Sequence, residues 1–235
     1  MDLIETSDNV NRHPWELSRT QKVISKLKKL GIKGNVLDIG CGDSYFDKRL
    51  AEAVPDVTVY GVDIFLTDEI HSERVHAVNS LEKLPDVKYD FILMMDVIEH
   101  IEDDTGYVKD IVNKLKDEGT VFITVPAFMS LYSLHDKELR HFRRYNHKQL
   151  RAVTEAAGLE EAFWSYFYFC LIPLRLLTMN KTENLSGWHE SEKSFKTRIV
   201  KGILNIDFSV LSALSHIFIH IPGLSLMSVN KKCVR

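Results

Sequence analysis

Two glycines and two carboxylates give this chain one stretch where residue type and spacing already amount to chemistry. In Val36-Leu-Asp-Ile-Gly-Cys-Gly-Asp-Ser-Tyr-Phe46 an apolar run leads into Gly40-Cys41-Gly42, with Asp38 just ahead of the first glycine. The glycines carry no Cβ to hold a ligand off the backbone. A helix starting after Asp43 or Ser44 would add free N–H groups and the positive end of its dipole. Asp38 then stands where it can meet a cationic amino group, directly or through water. Asp63 ends the next apolar run, Val57-Thr-Val-Tyr-Gly-Val-Asp63. It lies about 20 residues past the turn, the distance at which an acid accepts both hydroxyls of a ribose. The dinucleotide fingerprint fails, which leaves a dehydrogenase a distant third reading. Gly-x-Gly-x-x-Gly needs a third glycine so that helix and strand can pack closely, and Tyr45 stands in that place.

Three histidines are candidates for proton transfer near neutral pH. His100 follows the apolar run Tyr89–Asp96, and His135 and His141 lie in the long connection after Pro126. Plainer roles stay open, structural for His100 and lid-positioning for the other two. Arg143 and Arg144, followed by Tyr145, offer a fork for a phosphate or carboxylate of a bound acceptor, or solvated charge ahead of a helix. His216 and His220 have a metal-compatible spacing but no third ligand in sight, so helix packing accounts for them and no metal site is expected.

These residues need elements to position them. Leu17 to Leu30 has the spacing of an amphipathic helix, and Val36–Ile39 reads as a strand buried on both faces. Further strands are expected at Val57–Asp63, Val75–Val78, Tyr89–Asp96 and Thr120–Val125, with helices at Thr105–Leu115 and His147–Ala157. Strands alternating with helices imply an α/β fold, a doubly wound parallel sheet with ligands at the carboxyl ends of its strands. With 235 residues, 45% of them hydrophobic, the chain can bury one sizeable core. A net charge of −3 argues against a nucleic-acid partner. Cys41, Cys170 and Cys233 are scattered, so no disulfide framework is expected. The acidic amino end is not a targeting peptide. A cytoplasmic location is expected.

At these residues the chain resembles the class I S-adenosylmethionine (SAM) dependent methyltransferases. Val36-Leu-Asp-Ile-Gly-Cys-Gly42 is similar to their first motif and Val62-Asp63 to their second. Val78-Asn-Ser-Leu-Glu-Lys-Leu-Pro85 is similar to the third, which touches adenine, and Asp96-Val-Ile-Glu-His-Ile101 to the fourth in its ubiquinone-type O-methyltransferase form. The resemblance covers roughly Arg12 to Leu159. It implies a seven-stranded sheet whose last strand is antiparallel. It also implies SAM as cofactor, held by Asp38, Gly40, Cys41, Gly42, Asp63, Ile64, Ser80, Leu81, Asp96 and Val97. Two positions depart from the family pattern: Ser44 replaces a third glycine, and Ser80 replaces an aspartate that would bond the adenine amino group. A neutral hydroxyl accepts that bond more weakly. His13-Pro-Trp15 with Arg19 resembles the amino-terminal lid of a bacterial subgroup, which implies cofactor contact by Trp15 and by Arg19 at the cofactor carboxylate. His135-Asp136 and His141-Phe-Arg143-Arg144-Tyr145 resemble the same subgroup, whose members modify envelope, sugar or lipid-like small molecules.

The organisation expected is a helix and lid over 1–33, a SAM-binding core over 34–170, a helical insertion over 171–222 and a final edge strand over 223–235. The aromatic run Ala162–Ile172 is expected to form the sixth strand and run into a helix, and Leu224–Val229 the last strand. About fifty residues between them exceed any hairpin turn and imply a helical insertion over the substrate mouth. The insertion comprises a polar piece (Asn180–Lys193) and an apolar helix from Ile199 to His220, interrupted by Asn205, Asp207, His216 and His220 and so unable to span a bilayer. It is a cap, a homodimer interface or a peripheral membrane contact, and the excess of basic residues from Lys181 to Arg235 suits a lipid surface or lipid-linked acceptor. The favoured function is SAM-dependent methylation of a small-molecule or lipid- or sugar-linked acceptor, at oxygen. The alternative is an inactive relative that binds a partner or membrane through its apolar helices.

Overall fold

The computed structural model describes residues 12–179 and 190–233. The acidic amino end and most of the polar stretch from Asn180 lie outside them. Eight strands and seven helices follow in the order α1 (Pro14–Lys29), β1 (Gly34–Ile39), α2 (Tyr45–Ala53), β2 (Val57–Val62), β3 (Ile70–His71), β4 (Val75–Val78), β5 (Tyr89–Met95), α3 (Asp104–Val112), β6 (Leu115–Pro126), α4 (Leu134–Glu138), α5 (His147–Ala156), β7 (Leu159–Phe167), α6 (Ile172–Thr178), α7 (Phe195–Ser215) and β8 (Ser225–Lys232), counted among the described residues. Helix α1 begins earlier than the apolar spacing predicts. His13 caps it by accepting from the Trp15 N–H at 3.2 Å, and Pro14 suits the first turn because it has no N–H to leave unpaired.

The sheet runs β3-β4-β2-β1-β5-β6-β8-β7. Strands β4, β2, β1, β5 and β6 are parallel, and β8 is antiparallel to both of its neighbours. Two expectations are corrected. The sheet has eight strands rather than seven, because the two-residue β3 pairs with the edge of β4, and a strand that short carries no periodic signal. The final strand is not at the edge: β8 fills the gap between β6 and β7, from Thr120↔Lys231 to Pro126↔Ser225, and leaves β7 outermost.

Successive strand residues point to opposite faces, and each face has its own helices. Leu37, Ile39, Ile92, Met94 and Ile123 meet Val108 and Ile111 of α3 and Leu150 and Val153 of α5. Val36, Val59, Leu93, Phe122 and Met227 meet Val23 and Leu27 of α1, Leu50 of α2, and Leu204 and Phe208 of α7. The long helix α7 is therefore a layer helix beside α1 and not a cover over the mouth. Its apolar stripe finds the sheet face beyond α1, and its Asp207 carboxylate accepts from the N–H groups of Tyr168, Phe169 and Cys170 at 2.6, 3.2 and 2.8 Å, capping the exit from β7. The short α6 reaches the carboxyl edge through Arg175, which binds Asp136 in the loop after β6. Among the described residues, no helix is long and apolar enough to cross a membrane.

Candidate active site

Parallel pairing of β1 with β2, ending at Ile39↔Val62, delivers Gly40 and Asp63 to the same edge of the sheet. Gly40, Gly42 and Ser44 all have positive φ (+74°, +58° and +58°), so the chain turns sharply before α2. A Cβ on Gly40 would lie 2.6 Å from Cγ2 of Val97, which fixes this loop against the turn after β5. Of the two expected caps for α2, Asp43 accepts from the Tyr45 N–H at 3.2 Å, whereas Ser44 makes no side-chain cap bond. Asp63 is nearly buried and held by two backbone donors, the Gly42 N–H at 2.9 Å and the Phe65 N–H at 2.9 Å. A carboxylate has about four acceptor sites, so lone pairs remain for a ligand's hydroxyls. Beside it Ile64 is 76% and Phe65 54% exposed, apolar side chains with a face left for a flat ring.

Asp38 is buried beside Asp47 of α2, and the Asp38 carboxyl finds no donor among the described residues other than that second acid. Burial, and then the charge of Asp47, push Asp38 well above the usual carboxylate range, and burial pushes Asp47 up to about 6. Two acids in one dry site resist double ionisation. An ammonium group arriving there would supply the missing partner.

At the end of β5, Asp96 has a left-handed backbone (φ +57°) and accepts from Thr124 Oγ1 at 3.1 Å and from the Arg19 guanidinium. Burial opposes its ionisation, but Arg19 and Thr124 outweigh that and hold Asp96 below the usual range. Arg19 packs over the Trp15 ring, 4.9 Å from its centroid. Arg12, just before α1, pairs with Asp43 and stacks on Tyr45, so the amino-terminal segment closes onto the glycine turn. Ser80 caps the 3₁₀ turn Leu81–Lys83 by accepting from the Glu82 N–H at 3.3 Å, next to Val78, whose carbonyl accepts from the Asp63 N–H.

The structure brings His100 and His141 together, with ring centroids 4.6 Å apart, and does not bring His135 into that pair. His141 Nδ1 lies 2.9 Å from Oδ1 of the buried Asp136. Asp136 is also bound by Arg144 Nε at 2.8 Å and by Arg175 of α6. Against its burial, the bond to His141 and these two guanidinium charges hold Asp136 far below the usual carboxylate range. The three residues expected to hold an acceptor each have partners within the chain. Arg143 pairs with Asp104 at 2.9 Å and with the Glu102 carbonyl, Arg144 is buried on Asp136, and the buried Tyr145 donates to Asp104 at 2.7 Å. Burial and the bond to Asp104 push the Tyr145 phenol far up. The long loop after β6 needs these internal ties because it has no sheet partner beyond Ala127.

The model of the methyltransferase-domain family matches residues 15–164, more than half of the chain. The chain belongs to the class I SAM-dependent methyltransferases. This methyltransferase is 25% identical over 147 residues to a probable SAM-dependent methyltransferase of Mycobacterium tuberculosis, covering 60% of this chain and 54% of that one. It is 32% identical over 101 residues to the ubiquinone biosynthesis O-methyltransferase of Bartonella quintana, covering 38% of this chain and 40% of that one. The chain spans about half the length of the first curated relatives it matches. An N-methyltransferase from Bradyrhizobium japonicum, solved with S-adenosyl-L-homocysteine, aligns with a TM-score of 0.57 at 12% identity, over 99% of this chain and 97% of that one, and so shares the fold. SAM is the cofactor of this methyltransferase. The buried Asp38, the glycine turn and the doubly anchored Asp63 fit its charged amino-acid end and its ribose.

Sequence reasoning passed over Asp47, Glu99 and Arg175 of the methyltransferase. Asp47 had a signal, an acid at helical spacing from Leu50 and Ala51 on the buried side of α2. Glu99 stood inside the fourth motif, where nothing local separates a buried acid from a solvated one. Arg175 had none, since its partner Asp136 lies in another part of the chain.

Proposed function

We propose that this methyltransferase methylates a hydroxyl oxygen of a small acceptor presented on a lipid or sugar carrier. The observation that carries the reading is the His100–His141 pair at the carboxyl end of β5, one turn beyond Asp96 and Val97. A hydroxyl must lose its proton as it attacks, and imidazole accepts protons near neutral pH. SAM supplies, when bound, a methyl on a sulfonium sulfur that leaves as a neutral thioether. Asp38 and the glycine turn hold the amino-acid end, Arg19 and Trp15 close over it, and Asp63 fixes the ribose. Ile64, Ser80 and Leu81 border the adenine. The Arg19–Asp96 pair screens the reaction site from water, and Val97 sets the floor on which acceptor and methyl line up. The acceptor O–H proton passes to an imidazole, and its oxygen lone pair forms the new C–O bond as the C–S pair stays on sulfur. His141 is the better base of the two because Asp136 orients its ring.

A lipid-borne acceptor is supported by surface chemistry. Leu174, Leu176 and Leu177 of α6 and Phe195, Ile199, Ile203, Ile206 and Val210 of α7 are all exposed, alongside Lys196, Arg198 and Lys201. Apolar side chains with basic neighbours suit the surface of an anionic membrane. The test is incubation with ¹³C-methyl SAM and two acceptors, a soluble catechol and a polyprenylated one, followed by NMR of the product. A labelled O-methyl carbon, formed faster on the prenylated catechol, is expected. Label on nitrogen or carbon of competing acceptors, with none on either catechol, would overturn the oxygen assignment.

A further inference from the structure

We infer that Glu99, His100 and His141 form a binding site for one divalent transition-metal ion of the zinc class. One ligand atom from each lies within 4.8 Å of the other two, a spread that small torsions close to the spacing set by bonds of about 2.0–2.2 Å.

The decisive feature is Glu99. Its side chain is completely buried, and neither oxygen has a hydrogen-bond partner among the described residues. A carboxylate stripped of water and left unpaired is costly, and a bound cation would satisfy it. Two imidazoles sit on the same spot. His141 has its Nδ1 engaged by Asp136, which leaves Nε2 as its ligating nitrogen. A carboxylate behind a ligating histidine fixes the ring's orientation and raises its basicity, and Asp136 is itself anchored by Arg144 and Arg175. Backbone ties hold the two segments in place. The Phe142 N–H donates to the Glu99 carbonyl at 2.8 Å, the His100 N–H to the Val97 carbonyl at 3.0 Å, and the Tyr132 hydroxyl to the His141 carbonyl at 2.7 Å. Ligands presented on a fixed backbone need little rearrangement to close on an ion.

The donor set decides the ion. Two imidazoles and one carboxylate suit zinc and its divalent neighbours, whereas magnesium and calcium prefer all-oxygen sites. Asp96 is occupied by Arg19 and Thr124. Three protein ligands leave a fourth position open, the arrangement of catalytic rather than structural zinc. A cation there would lower the pKa of an acceptor hydroxyl brought to that position. With the ion bound both imidazoles are ligands and not bases, so the acceptor proton would pass to solvent, and the oxygen pair would take the methyl as the C–S pair stays on sulfur. That role rests on the oxygen reading above; the site does not. The sequence pointed elsewhere because His141 lies far along the chain from Glu99-His100 and no ligand-spacing motif links them.

The experiment uses the untagged full chain, stripped with a chelator and titrated with Co²⁺ followed by visible absorption, then with Zn²⁺ in competition. One equivalent of Co²⁺ is expected, displaced stoichiometrically by Zn²⁺. Glu99→Gln and His141→Ala should each weaken binding by about 100-fold or more. Asp136→Asn should weaken it about 10- to 100-fold, as removal of a carboxylate behind a ligand does. His147→Ala, outside the cluster, should leave it unchanged. Calorimetry with S-adenosylhomocysteine on every variant checks that the fold and cofactor pocket persist. Wild-type protein that binds S-adenosylhomocysteine but takes up no more Co²⁺ than Glu99→Gln overturns the site, and Glu99 is then a protonated acid. Metal uptake without O-methylation would sink the acceptor reading and leave the site standing.

Discussion

Arg19, on the first helix, reaches the carboxylate of Asp96 at the end of the fifth strand and forms a buried ion pair across the mouth of the sheet. The pair joins the amino-terminal segment to the strand end where the methyl should be presented. Removing one partner strands the other. Arg19→Ala should therefore destabilise the chain by about 2–3 kcal/mol, below the roughly 3–5 kcal/mol of a fully enclosed pair, because the Asp96 side chain keeps 29% of its exposure. Urea denaturation measures this, and the double variant Arg19→Ala/Asp96→Asn should recover part of the loss. A single variant as stable as wild type would show that the pair contributes nothing.

The Asp38–Asp47 pair makes stability depend on pH in a stated direction. Both carboxyls are pushed up in the folded chain, Asp47 to about 6. The cost of ionising them in place is absent below the ordinary carboxylate value of about 3.9. It grows as pH rises from there and is complete above the folded values. Asp47→Asn should thus stabilise the protein at pH 7.5, by up to about 3 kcal/mol at 1.36 kcal/mol per unit, and change little at pH 3. Denaturation at the two pH values tests it, and an equal effect at both would refute the account.

Cofactor binding should draw a proton from the same pair. An ammonium group beside Asp38 favours its charged form, so S-adenosylhomocysteine binding near pH 6 should release protons into buffer. Calorimetry in two buffers of different ionisation enthalpy reads the number released. Identical heats in both buffers would place the ammonium elsewhere.

Asp63→Ala removes the anchor of the Gly42 N–H and the carboxylate proposed to accept from the ribose hydroxyls. Charge-assisted hydrogen bonds contribute about 1.5–3 kcal/mol each, so affinity for S-adenosylhomocysteine should fall about 100-fold or more. A change of less than about threefold would remove Asp63 from the cofactor site.

The exposed face of the last helix gives a fifth test. Ile203→Glu/Ile206→Glu adds charge at two solvent-facing positions. It should abolish co-sedimentation with phosphatidylglycerol vesicles and leave the melting temperature near that of wild type. Wild-type chain that ignores the vesicles and elutes as a dimer would assign the face to a second copy.

What the residues determined by themselves is local. Val36, Leu37 and Ile39 alternate between two apolar faces, Gly40 and Gly42 permit positive φ, and Asp63 ends the next strand. Each depends on neighbours a few residues away, so spacing alone reveals it, and the parallel sheet and its cofactor edge follow. What the tertiary structure decided is which distant side chains meet. It set Asp47 beside Asp38 by laying the second helix on the second strand, next to the first. It gathered Glu99, His100 and His141 because the fifth and sixth strands are neighbours whose exits share one edge. It seated the last strand inside the sheet and the long helix on its face, where Leu204 and Phe208 found apolar surface. It turned Arg144 and Tyr145 inward onto Asp136 and Asp104. Periodicity reports whether a side chain will be buried, whereas the partner of a buried charge is fixed only when separate elements pack.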